Sequence, residues 1–140
     1  MSQPTSFRLP SDLVKRIDAE AAQRGTTMTR LVSALLDEGL KTGRYPGVVY
    51  RDGPTGRRAA LAGGPDIWEI VRAVKDAPGS GESRVRRVAR DRRLTDRLVH
   101  LAIDFAAAYP QEIDARIDLD EQTAARIREQ IGHRERLLGE

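Results

Sequence analysis

TSFRLP, residues 5–10, alternates in character up to a proline: Thr5, Phe7 and Leu9 fall on one face, Ser6 and Arg8 on the other. A period of two marks a short β-strand, and Pro10, which has no N–H to give a ladder, ends it. Beyond the proline the pattern turns helical. In SDLVKRIDAEAAQRG, Leu13, Ile17 and Ala21 recur at helical spacing beside Val14 and Ala22, with Ser11 near the start and Gly25 just past the end. Thr26 and Thr27 then offer an N-cap for TMTRLVSALLDEGLKTG, whose apolar stripe is Leu31, Val32, Leu35, Leu36 and Leu40, and which Gly43 closes.

One strand and two one-sided helices have nothing within a single chain against which to bury Phe7, Leu9 and the leucines. Pairing the strand antiparallel with its twin satisfies its backbone and encloses one core among four helices. The outer face of such a ribbon carries Ser6, Arg8 and their symmetry mates. A two-stranded ribbon fits the major groove of double-stranded DNA, where arginine reaches guanine O6 and N7 with both nitrogens. The competing reading is a plain helical hairpin with a frayed N-terminus, in which Ser6 and Arg8 are solvated.

FRLP, the turn RGTTMTR and the closing LLDEGL, taken in this order, resemble the ribbon-helix-helix family over residues 4 to 42. The resemblance implies a homodimer through an intermolecular β-ribbon, bound to a palindromic DNA operator. It assigns base reading to Ser6 and Arg8, with Pro4 where a polar residue is usual, and a phosphate clamp to Thr27, Met28 and Thr29 at the start of the second helix. Backbone N–H groups and the positive end of the helix dipole account for that clamp without a lysine.

After a short linker at Gly43–Pro46 the character changes. VVYR and RRAALA are β-type runs around the turn-dense DGPTG, a β-hairpin by pattern. PDIWEIVRAVKDA reads as a helix started by Pro65 and Asp66, with Ile67, Ile70, Val71 and Val74 as its stripe. Trp68, the only tryptophan, serves either packing or ligand stacking. Beyond PGSGES comes RVRRVARDRR, residues 84–93, with six arginines around Val85, Val88 and Ala89. LTDRLVHLAIDFAAAYP starts over with Thr95 as N-cap and turns Leu98, Leu101, Ala102, Phe105 and Ala106 inward until Pro110.

This outline is helix-turn-helix-like, but the last helix exposes Asp96, Arg97, His100 and Asp104, and carboxylates face phosphates unfavourably. The arginine-rich helix before it is a solvated face, a phosphate contact or a grip on an acidic protein. Arg84, Arg86, Arg87 and Arg90 are its candidate contacts. GGPDIWEIV, the LT helix start and AAAYPQEIDARI, within residues 46–117, resemble a small helix-turn-helix-like domain of antitoxin type, which implies a PIN-like nuclease toxin as partner. The arginine-rich 84–93 and the loop GSGES depart from that pattern. In the tail, Ile127, Ile131 and Leu138 sit among charges, and residues 120–138 read as an amphipathic helix capped by Asp120. It lies either in a partner's groove or on its own domain.

Charge is unevenly spread over the 140 residues. Residues 1–44 hold seven basic and five acidic groups, residues 45–100 twelve and seven, and residues 101–140 five and nine, so a basic body carries an acidic end. The absence of cysteine suits the cytosol, and with no apolar leader or membrane-length run the expectation is a soluble, cytoplasmic protein. His100 and His133 fall on separate helices, GPTG, AGGP and GSG are turns without a following GK[ST], and Asp118 and Asp120 lie in the tail, so no catalytic residue, metal or cofactor is expected. The expectation is a mainly α chain of three parts. Residues 1–44 are the dimeric ribbon-helix-helix, 45–118 the hairpin and trihelical domain, and 119–140 the C-terminal helix. Its function would be that of an antitoxin and autorepressor, or of a stand-alone repressor without a toxin.

Overall fold

Ser11–Arg24 (α1) and Met28–Arg44 (α2) make the first of two units into which the computed structural model divides; it describes residues Met1–Glu140, and the second unit is Tyr45–Glu140. Gly25 ends α1 with φ 65°, its N–H bonded to the Ala22 carbonyl at 3.2 Å and the N–H of Thr26 to that of Ala21 at 3.0 Å. A Cβ is costly in that left-handed conformation, which is why glycine stands there. Thr27 opens α2: its Oγ1 accepts the Arg30 N–H at 3.2 Å and its carbonyl the Leu31 N–H at 3.0 Å. Only Ala21 and Leu31 are buried in this unit. Met1–Pro10 form no regular element. The strand expected over residues 5–10 is not formed in a single copy, and the Pro10 carbonyl accepts the Val14 N–H at 3.0 Å.

The second unit begins with a hairpin, β1 (Val48–Arg51) and β2 (Arg58–Leu61), paired antiparallel with Val48 opposite Leu61 and Arg51 opposite Arg58. Four helices complete it: α3 (Ile67–Asp76), α4 (Glu82–Arg92), α5 (Asp96–Ala108) and α6 (Pro110–Leu138). The whole is mainly helical with one small antiparallel sheet, the class expected from the sequence. Phe105, Leu61, Ile67, Ile70 and Val99 are its most completely buried large side chains, and Val85, Val88 and Ala89 close the core from α4. Tyr45 stands edge-on to Phe105 and Tyr109, with ring centroids 5.6 and 5.9 Å apart. Gly47 (φ 103°) lies under this group, where a Cβ would meet the Leu101 side chain.

The last helix begins earlier than expected. α6 starts at Pro110, not at Asp120, so a boundary at 118/119 would fall in mid-helix. Pro110 does end α5, but it also occupies the first turn of α6, where its missing N–H costs nothing. Ile113 and Ile117 of this first half are buried in the core, and Asp120 is no cap: it accepts from Arg72 of α3.

Hairpin and helices meet at Asp66, the N-cap of α3 and the only buried charged or polar residue. Its carboxylate accepts from Arg51 Nη2 at 2.9 Å, Arg58 Nε at 2.6 Å and Trp68 Nε1 at 3.1 Å, while its N–H donates to Glu69 Oε2 at 3.0 Å. Trp68 therefore has a structural partner. Burial alone pushes the Asp66 carboxyl up. The hydrogen bonds from Arg58 and Arg51, the charge of Arg58 and the indole N–H outweigh it and hold the pKa below its ordinary 3.8.

Because the folded pKa is the lower one, this contribution to stability is complete above pH 3.8 and is lost as the pH falls through the depressed value. Asp66→Asn should destabilise the chain by about 3 kcal/mol at neutral pH, since it leaves two half-buried guanidinium groups without a counter-charge. Urea midpoints of wild type and variant should converge as the pH is lowered below 3.8. A constant gap between them would assign the cost to something other than the carboxylate's charge.

Candidate nucleic-acid interface

Ser6 and Arg8 lie in the exposed segment before α1, outside any helix, and neither has a hydrogen-bond or ion-pair partner in the chain. Thr27, Met28 and Thr29 stand at the start of α2 and are solvent-accessible. Because Thr27 supplies caps only for Arg30 and Leu31, the N–H groups of Met28 and Thr29 have no partner in the chain. They are orphan donors at the positive end of a 17-residue helix. Of the five residues that the resemblance assigns, Ser6, Arg8, Met28 and Thr29 thus keep groups free to meet a ligand, while Thr27 caps α2. Nothing in the single copy brings the two sets together.

Large apolar side chains are left uncovered in a definite pattern. In Met1–Arg44 they are Phe7 (74% exposed), Leu9, Val14, Met28, Leu35, Leu36 (57%) and Leu40 (73%), besides Met1. None falls between residues 45 and 118. They reappear along α6 at Leu119 and, in its distal half, at Ile127, Ile131, Leu137 and Leu138. The middle of the chain has closed its core, whereas the first unit has not.

In the second unit the arginines divide into two kinds. Arg116 Nη1 donates to the Thr55 carbonyl at 2.7 Å and Nη2 to the Arg57 carbonyl at 2.6 Å, which holds the hairpin loop to α6. Arg51, Arg58 and Arg72 are likewise committed to carboxylates. Of the candidates on α4, Arg84 donates through Nε to the Gly79 carbonyl at 2.8 Å and so closes the preceding loop. Arg86 and Arg87 are exposed and unpaired, and Arg90 reaches only Asp91, at 3.5 Å. Arg92, Arg93 and Arg97 are also exposed and unpaired. Arg93 follows Arg86 and Arg90 at helical spacing and caps α4, and Arg97 belongs to the next helix.

α5 offers little that could read a base. Its exposed His100 is tied through Nε2 to Glu82 Oε2 at 3.0 Å, linking it to the start of α4. That hydrogen bond is the main reason the His100 pKa is raised from 6.5; slight burial opposes it, and the charges of Glu82, Asp104 and Asp96 add to it. His133 stands against Arg136 Nη2 at 3.2 Å on the distal part of α6. No three His, Asp or Glu side chains are grouped to hold a metal ion, and no helix is long and apolar enough to cross a membrane.

No family model, curated protein or solved structure matches the chain. Its functional reading therefore rests on these residues.

His100 should titrate above 6.5 in an NMR pH series and move back towards that value in Glu82→Gln. The raised folded pKa means that the α4–α5 link is fully present below pH 6.5 and is lost as the pH rises through the higher value. An unchanged midpoint in the variant would show that Glu82 does not hold the imidazole in solution.

Proposed function

We propose that the chain is a homodimeric ribbon-helix-helix regulator that binds a palindromic operator in double-stranded DNA, acting as antitoxin and autorepressor towards a PIN-like ribonuclease toxin. The observation that carries the DNA-binding part is the uncovered apolar surface of Met1–Arg44. Phe7, Leu9, Leu36 and Leu40 are exposed in one copy, while residues 45–118 expose no large apolar side chain. A second copy offers the same residues in return, and pairing residues 5–10 antiparallel gives their free backbone groups partners. In that arrangement Ser6 and Arg8 lie on the outer face of the ribbon. Arg8 reads a base pair, and the free N–H groups of Met28 and Thr29 take a backbone phosphate.

The toxin-binding part rests on the distal half of α6. Beyond Asp120 no residue of that helix is buried, and Ile127, Ile131 and Leu138 recur at helical spacing on it. An apolar stripe of this kind is suited to a partner's groove. The resemblance of residues 46–117 to an antitoxin-type domain supplies the class of partner.

Fluorescence anisotropy on the duplex upstream of the chain's own gene tests the reader, with a scrambled duplex as control. Arg8→Ala should lose about 1–3 kcal/mol for each bidentate base contact and flatten the preference for the native duplex. Wild-type discrimination by this variant would overturn the ribbon reading. Leu36→Glu should sediment as a monomer and lose operator binding, because a carboxylate cannot be buried in the shared core without a partner. Co-purification from the native host separates antitoxin from stand-alone repressor: a stoichiometric nuclease supports the first, a lone dimer the second.

A further inference from the structure

The side of α4 opposite Val85, Val88 and Ala89 carries Arg86, Arg87 and Arg90, neighbours across one helical turn. Arg93 comes one turn on, and Arg97 stands at the start of α5. Of these five, only Arg90 approaches a carboxylate, and that is its chain neighbour Asp91. Five exposed cations within twelve positions repel one another, and the one ion pair among them is that of Arg90 with Asp91.

Arg93 adds an independent observation. It is the one non-glycine residue with a positive φ, 55°, and it ends α4 as a left-handed cap. Its N–H bonds to the Arg90 carbonyl at 3.3 Å and the N–H of Leu94 to that of Ala89 at 2.8 Å. Glycine meets this geometry with less strain, as it does at Gly25 and Gly139. An arginine held in a strained position, with no partner for its side chain, points to a role outside the fold.

One feature of the same unit favours phosphate over protein as the ligand. A protein interface has an apolar centre, and residues 45–118 expose no large apolar side chain. We propose that Arg86, Arg87, Arg90, Arg93 and Arg97 form a second DNA contact, which grips the phosphate backbone of duplex DNA without reading its sequence. This rests on the DNA-binding function proposed above and adds to it a surface in the other unit.

The test is a salt series on the full chain with native and scrambled duplexes, comparing wild type, R86Q/R87Q/R90Q, Arg93→Gly and Arg8→Ala. Glutamine keeps the helix propensity of α4, and circular dichroism checks the fold. Each lost phosphate contact should lower the slope of log K against log salt by about 0.9, on both duplexes alike. Arg93→Gly should lose about one such contact while its melting temperature rises, a combination that a purely structural role for Arg93 does not produce. If both α4 variants keep the wild-type slope, the contact does not exist. If the triple variant loses only its preference for the native duplex, α4 reads sequence and the assignment is wrong. A smaller oligomer by sedimentation with an unchanged slope would make the face a self-association surface instead. Should the slopes fall while Arg8→Ala behaves as wild type, the phosphate contact stands and the ribbon reading alone fails.

Discussion

Where the hairpin meets α3, the carboxylate of Asp66 takes three side-chain hydrogen bonds at once, and the order of the second unit depends on it. Arg51 and Arg58 are directly opposed across the two strands. Like charges in that position repel, so the hairpin tolerates them because one carboxylate lies between them. The geometry is tight: Gly53 has no side chain where the Arg58 guanidinium lies. It is also incompletely satisfied, since Arg51 Nε and Arg58 Nη1 are buried without a partner. Each such atom subtracts from what the ion pairs contribute. α6 offsets part of this from the other side, through Arg116 on the loop carbonyls and through Tyr50, whose hydroxyl donates to Glu112 at 2.6 Å.

The first unit obeys the opposite constraint. Two helices joined at Gly25 bury only Ala21 and Leu31, far too little to offset the entropy of ordering forty-four residues. The unit's own core is not enough to hold it, and a surface outside the unit must add to it. The same shortage leaves the segment before α1 without a strand partner. A second copy would answer both needs with one interface, which is why dimerisation and base reading fall together in the proposed function.

Whatever depends on short-range pattern is visible in the sequence. The stripes Ile67, Ile70, Val71 on α3 and Val85, Val88, Ala89 on α4 are buried as their spacing predicts, and Thr95 caps α5 by accepting the Leu98 N–H at 3.2 Å. Three things stay hidden. Pro110 reads as a stop, because a proline that ends one helix and opens the next looks the same from its neighbours alone. Asp66 reads as an ordinary helix start, since its partners Arg51 and Arg58 are brought to it by the hairpin. Arg93 reads as one more arginine in a basic run, because a positive φ leaves no trace in composition. At the candidate interface the capping role of Thr27 is legible, but the alternation around Ser6 and Arg8 forms no strand in the single copy, and the division of the arginines into paired and free leaves no mark in the sequence.

That division matters most for function. The run RVRRVARDRR draws the eye by density, yet the arginines that hold the fold are the scattered ones: Arg51, Arg58, Arg72 and Arg116. Each is committed to a carboxylate or carbonyl at a fixed place, so its charge is used within the molecule. Those of α4 and the start of α5 are conspicuous in the sequence because few carboxylates are interleaved with them, and all but Arg84 and Arg90 remain unpaired in the structure for the same reason. A side chain with a rigid, permanently charged fork and no internal partner suits phosphate and carboxylate ligands. In the proposed function, a phosphate contact there would supply affinity and leave specificity to the segment around Arg8.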